Sequence, residues 1–154
     1  MKKLSFLSLL AVLFMLTTAS MCSSDDNSSS SQNPTPVINV MTQGTWRVTS
    51  FIESDNNETA NFSGYAFTFG ASNVLTATNG VNAYTGSWSV TADNSTDDDD
   101  PSGDLDFNVS FAAPIDFTDL SDDWDIISQT STKIQLIDIS GGNGGTDYLT
   151  FEKN

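Results

Sequence analysis

The sequence predicts an all-β protein: a single eight-stranded antiparallel meander barrel that follows an apolar leader and an unstructured spacer. Three observations carry this prediction. From residue 40 onward, period-two alternation recurs in short segments separated by Gly, Asn, Asp and Ser clusters. No window of helical length keeps a 3.6-residue repeat. Most segments follow one another at hairpin distance, and closing such a meander removes its aggregation-prone edges.

Residues 1–21 read as a targeting segment. Lys2 and Lys3 are followed by an apolar run over 4–16, broken only by Ser5 and Ser8. A helix of that length rises about 20 Å against a hydrocarbon core of about 30 Å, so removal after translocation is expected rather than a membrane span. Residues 22–39 form the spacer. Its stretch over 28–36, Ser-Ser-Ser-Ser-Gln-Asn-Pro-Thr-Pro, has no apolar periodicity and is expected to be unfolded, and the chain between Cys22 and Val37, fully extended, would reach up to roughly 50 Å. Residues 40–154 form the barrel domain, of a size that suits one core.

The strands are expected at 45–53, 65–69, 73–78, 84–91, 104–111, 124–129, 133–139 and 148–152. Leu105, Phe107, Val109 and Phe111 alternate with Asp106, Asn108 and Ser110, so one face packs inward and the other meets water. Tyr84, Gly86, Trp88 and Val90 form a second such face, and Trp46, Val48 and Ile52 a third, which puts Phe51 and Tyr148 on the outward register. Ile134 and Leu136 share a face while Ile137 and Ile139 switch to the other, which points to a bulge near them. Turns are expected at 70–72, 79–82, 130–132 and 141–145. The long connection 112–123 breaks the hairpin rhythm, and its Phe117-Thr118-Asp119-Leu120 is expected to form a helical turn that covers one end as a lid.

Charge and composition exclude several functions. The chain carries 20 Asp and Glu against 5 Lys and Arg, a formal charge of −15 that rules out phosphate neutralisation and hence nucleic-acid binding by a basic surface. With no His and one Cys there is no imidazole base, no Cys–His pair, no His/Cys zinc site and no internal disulfide. Asp125 and Asp138 have the residue type of an acid–base pair. Solvated side chains on adjacent strands are the expectation, because no apolar pocket accompanies them to shift a pKa, and the chain does not read as an enzyme.

Asp97, Asp98, Asp99 and Asp100 are the densest charge run and a weak calcium candidate, but Pro101 interrupts the ligand spacing and no Glu closes the site. A solvated hairpin tip is preferred there, and likewise for Asp116, Asp119, Asp122 and Asp123. No cofactor is expected. The remaining candidates are aromatic: Trp46, Tyr65, Phe67, Tyr84, Trp88 and Phe107 are expected to face the barrel interior, either as core or as the lining of a cavity for an apolar ligand.

Two resemblances extend this reading. Thr18-Ala19-Ser20-Met21-Cys22, directly behind the apolar run, resembles a bacterial lipoprotein signal peptide. That likeness implies cleavage before Cys22 and acylation of its sulfur and freed amine, with ordinary cleavage near Ala19 as the alternative. Several acyl chains together would anchor the protein stably. Ser23-Ser24-Asp25-Asp26-Asn27 resembles the export signal that sends some lipoproteins to the outer face of the outer membrane, the alternative being an acidic start to the spacer.

Gly44-Thr45-Trp46 opening the first of eight meander strands, and Trp124 after an acidic turn, resemble the lipocalin-like domains of bacterial lipoproteins over most of 44–153. This likeness implies a closed barrel and a late basic residue, here Lys153, packed over the first-strand Trp46. It further implies a non-catalytic barrel that binds a small hydrophobic ligand or an envelope protein partner, or else an accessory surface lipoprotein with a filled core. The implied location is the outer membrane, lipid-anchored through Cys22 and exposed at the cell surface.

Overall fold

The computed structural model of the protein describes residues 33–92, 105–140 and 145–154. The leader, Cys22 and the run Asp97 to Asp100 lie outside the described residues.

Nine strands form one sheet: β1 (Trp46–Glu53), β2 (Asn56–Asn57), β3 (Ala66–Phe69), β4 (Val74–Thr78), β5 (Ala83–Ala92), β6 (Leu105–Ser110), β7 (Asp122–Gln129), β8 (Lys133–Ile139) and β9 (Thr146–Lys153). From β3 to β9 every neighbour in sequence is an antiparallel neighbour in space, and β9 returns to pair with β1. β2 is a two-residue extension paired with the end of β1. The architecture is therefore a closed eight-stranded antiparallel barrel, consistent with a lipocalin-like fold. Its lower end holds the start of β1 and the close of β9, and its upper end the close of β1 and the start of β7.

Closure is uneven. β1 makes ladder pairs with β9 along most of its length but meets β3 at a single pair, Trp46 with Phe67. Higher on that seam a side chain replaces the ladder: the Phe51 amide donates to Thr59 Oγ1 at 2.8 Å, and the Glu58 amide donates to the Phe51 carbonyl at 3.0 Å. The short 3-10 helix Thr59–Phe62 inserts Phe62 there, fully buried against Phe51 and Phe67.

Two bulges set which side chains face inward. In β1 the register with β9 shifts between Val48 and Ser50. This turns Phe51 into the core at 1% exposure and sends Ile52 outward, the reverse of the expectation from simple alternation. The second bulge lies in β7 between Ile126 and Ser128, opposite Leu136 and Gln135. The β8–β9 ladder runs unbroken, so the expected bulge belongs to the neighbouring strand, and Ile137 and Ile139 are outward residues of a regular β8.

Part of the range expected as spacer is helical. Thr35–Met41 forms α1, with Pro36 in its first turn, where a fixed φ suits the helix and no intrahelical N–H is lost. Val37 and Met41, four residues apart on one helix face, are buried against the lower end of the barrel. Trp46 Nε1 donates to the Met41 carbonyl at 2.9 Å and ties α1 to the start of β1.

Candidate functional site: the barrel interior and its lid

All six aromatic candidates turn inward, and they fall into two groups. At the lower end and centre, Trp46, Phe67 and Phe107 are fully buried and Trp88 nearly so. Trp88 Nε1 donates to the Gly70 carbonyl at 3.0 Å, and its ring lies 5.9 Å from Phe107 and 5.2 Å from Phe69. Phe69 and Phe67 both pack edge-on against Phe151 at 5.3 Å. Edge-to-face contacts at these separations are the favoured geometry of aromatic quadrupoles, worth about 0.5–1.5 kcal/mol per pair beyond area burial.

Tyr65 and Tyr84 stand at the upper rim, half-buried, with ring centroids 5.9 Å apart. A hydrogen bond with Tyr65, then burial and the nearby Asp116 carboxylate, raise the Tyr84 hydroxyl above its ordinary value. Both rings lean on Phe117, at 5.0 Å and 4.8 Å.

Phe117 is the stopper of the barrel. It sits in α2 (Ile115–Thr118), a single turn started by Pro114, inside the connection between β6 and β7. The amides of Phe117 and Thr118 both donate to the Pro114 carbonyl. The ring is 2% exposed and meets Phe62 at 5.3 Å, Phe111 at 5.2 Å and Phe67 at 5.9 Å as well as the two tyrosines. Leu120 is fully buried behind it, and its carbonyl accepts from Trp124 Nε1 at 3.1 Å. Ser121 finishes the clamp: its hydroxyl accepts from the Phe111 amide at 2.8 Å. The lid expected over 112–123 is thus present and lies shut on the upper end.

At the lower end Gly44 explains the tripeptide that opens β1. Its φ of +82° suits glycine, and an added Cβ would press on the Lys153 side chain at 3.1 Å. Lys153 Nζ stands 5.6 Å above the Trp46 ring, the place that the likeness to lipocalin-like domains gave it.

The hollows among the described residues include two of appreciable volume. One, about 480 Å³, is an open depression lined by Ser87, Ser89, Asn108, Ser110 and Asp123; the other, about 220 Å³, lies between α1, residues 70–73 and the lower half of β5. Neither is framed by the buried aromatic cluster of Phe67, Phe69, Phe107 and Phe151.

Several carboxylates gather at the upper end. Burial raises Glu53 above the ordinary carboxylate value, with further upward pushes from Asp119, Asp147 and Glu58. Asp122 is pushed up to about 6, first by burial, then by a hydrogen bond with Asp123, with Asp138 and Asp123 adding repulsion. Asp125 and Asp138 are not brought together as a pair. Asp125 stands opposite Ile137 on one face of the sheet, which leaves Asp138 on the other. Among the described residues no group of three or more Asp, Glu, Cys or His is arranged to hold a metal ion, and no helix is long and apolar enough to cross a membrane.

Simple patterning turns the six candidates inward, with Phe69 and Phe111 beside them, and misses Phe51, Phe62 and Met41, which complete the same core. The two-residue β2 and the 3-10 turn after it carry no periodicity that would reveal Phe62. The fold and its interior define a closed antiparallel barrel stoppered by aromatic side chains. Comparison with protein-family models, curated proteins and solved structures finds no match for the chain.

Proposed function

We propose that this protein is a cell-envelope lipoprotein, anchored in the outer membrane through acylated Cys22 and exposed at the cell surface, whose lipocalin-like barrel is a non-catalytic module that engages a partner protein through its outer wall. The observation that carries this reading is the state of the interior. The positions that would line a ligand cup are occupied by rings in mutual contact, from Trp88 and Phe107 at one end to Phe117 under the lid. Small-molecule pockets are concavities of several hundred cubic ångströms that bury most of the ligand. A barrel stoppered in this way has its freely available recognition surface outside.

The anchoring half rests on the sequence around Cys22, with Asp25 and Asp26 supporting surface display. Its test is a Cys22→Ala variant, expected to leave the membrane fraction and to lose the mass of the acyl chains. Retention with unchanged mass would overturn it. For the barrel, fluorescence of Trp46, Trp88 and Trp124 is followed during titration with fatty acids, retinoids and haem. No saturable change is expected, whereas saturable quenching by any of them would make the protein a carrier.

A further inference from the structure

We infer that the depression of about 480 Å³ on the outer wall and the slot of about 220 Å³ beside α1 act as one site for a small amphiphile, the depression taking a neutral polyhydroxylated head and the slot a short apolar tail. This site is separate from the partner-binding reading, because it needs neither a protein partner nor space inside the barrel.

The two hollows share a wall. Asn73, Trp88 and Ser89 line both, so slot and depression adjoin at the turn between β3 and β4 and along β5. That turn is closed by the Gly70 amide, which donates to the Val74 carbonyl at 2.7 Å, while Ser72 and Asn73 take left-handed φ values of +58° and +62°.

Register sets the floor of the depression. Ser87 pairs with Ser110, Ser89 with Asn108, and Asn108 with Asp123, across β5, β6 and β7. Their neighbours Trp88, Val109 and Trp124 are buried, so alternation turns this grid outward. Strands favour β-branched and aromatic side chains, and three serines in their place leave the floor low between the Asn73 turn and the start of β7. Ser and Asn side chains both donate and accept, which is what ligand hydroxyls require, and Asp123 adds an acceptor. Asn108 Nδ2 donates to Thr91 Oγ1 at 3.1 Å, which holds the amide in place within the grid.

The slot is of the opposite kind. Ile38, Ala71, Trp88 and Val90 line it, and Thr42, which also does, turns its hydroxyl back to the Ile38 carbonyl at 2.8 Å. Small-molecule pockets hold several hundred cubic ångströms, a size the slot reaches only together with the depression. Charge then selects the head. The Lys and Arg of the barrel domain, Arg47, Lys133 and Lys153, line neither hollow. An anionic head would lose its water beside Asp122 and Asp123 with no counter-charge. An ammonium only donates, so it would leave the serine hydroxyls without acceptors, and Asp122 already accepts from the Asp123 amide at 2.9 Å.

The test titrates the mature full-length chain in lipid nanodiscs with n-hexyl β-glucoside and follows the three indole N–H resonances and the Asn108 side-chain amide by NMR. Saturable shifts are expected at Trp88 and Asn108 and not at Trp124. Glucose alone and hexanol alone are each expected to bind at least about tenfold more weakly, because only the linked ligand engages both hollows. Hexanoate and hexylamine are expected to fall behind the glucoside by a similar factor, about tenfold. Ala71→Phe, which narrows the slot, and Ser110→Tyr, which fills the depression, are each expected to weaken the glucoside about tenfold, and Val81→Tyr, at a 90% exposed position outside both hollows, to stay within about twofold. No saturable shift, or equal loss in all three variants, would overturn the inference. Glucose or hexanol binding as well as the glucoside would show two unconnected hollows, and tighter binding of hexylamine would show a cation site; either result would overturn it too.

Discussion

Replacing Phe117 by Ala probes the stopper directly. The ring is 2% exposed and meets five other rings at 4.8–5.9 Å. Truncating a buried Phe costs about 3–5 kcal/mol, the transfer free energy of the ring plus the cavity left behind. Packing from five sides limits collapse, so a loss of about 4 kcal/mol is expected, a large share of the roughly 5–15 kcal/mol that holds a domain of this size. Urea unfolding followed by tryptophan fluorescence measures it, since Trp124 lies next to the lid through Leu120 and Trp46 and Trp88 report the lower half.

Ile115 is the control: it is in the same helical turn but 75% exposed, and its change to Ala is expected to stay within about 0.5 kcal/mol. The cavity left by Phe117→Ala is lined by aromatic side chains and is expected to stay dry and to take up benzene, which would restore part of the lost stability. A loss under about 1 kcal/mol, or no stabilisation by benzene, would refute the description of Phe117 as the packed stopper of the barrel.

Three further outcomes are expected. Trp46→Phe removes the donor to the buried Met41 carbonyl and is expected to cost about 1–3 kcal/mol, with faster hydrogen exchange of the α1 amides than of the β5–β6 ladder. Gly86→Ala is expected to destabilise by about 3 kcal/mol, because the new Cβ would overlap the Ser110 carbonyl and the Phe111 ring. Gly80→Ala, with open space around it but a φ of +84°, is expected to cost only about 1 kcal/mol, and urea midpoints compare the two. Asp122→Asn gives a pH signature. A carboxyl whose folded value is raised from 3.8 to about 6 contributes stability that is fully present below pH 3.8 and lost as pH rises through 6. Full desolvation would make this about 3 kcal/mol, and screening of a mostly exposed group reduces it to about 1 kcal/mol. The variant is therefore expected to be about 1 kcal/mol more stable than the parent at pH 7.5 and equal to it at pH 3.5, as read from paired denaturation curves.

The strands were legible because each is long enough to show alternation. Phe107 and Val109 against Asp106 and Asn108 leave one face for the core, and β6 was placed to within a residue at each end. A bulge has no such mark. One extra residue near Thr49 reversed the sense of Phe51 and Ile52, and nothing in the local composition distinguishes that strand from a regular one. α1 was hidden for a related reason: its two buried residues, Val37 and Met41, sit in a stretch bordered by Ser, Asn and Pro that has the composition of a spacer.

The interior aromatics could be read from their faces. Whether they enclose space could not, because that depends on Phe62 and Phe117, which arrive from irregular segments and are positioned by hydrogen bonds to Thr59 and Ser121 that no periodicity reveals. Outward positions have the same dependence on register: Ile52 stands opposite Tyr148 only because of the bulge.

The single pair between β1 and β3 gives the ring a clasp. Every other junction is a ladder of several backbone pairs, whereas here Trp46 and Phe67, the Thr59 hydroxyl and the Phe62 ring together stand in for one. Breathing motions of the cylinder should begin there, uncurling it into a twisted sheet with β1 still fastened to β9. Because Phe62 touches Phe117 across that line, the side door and the roof are latched by the same pair of rings, and loosening one loosens the other.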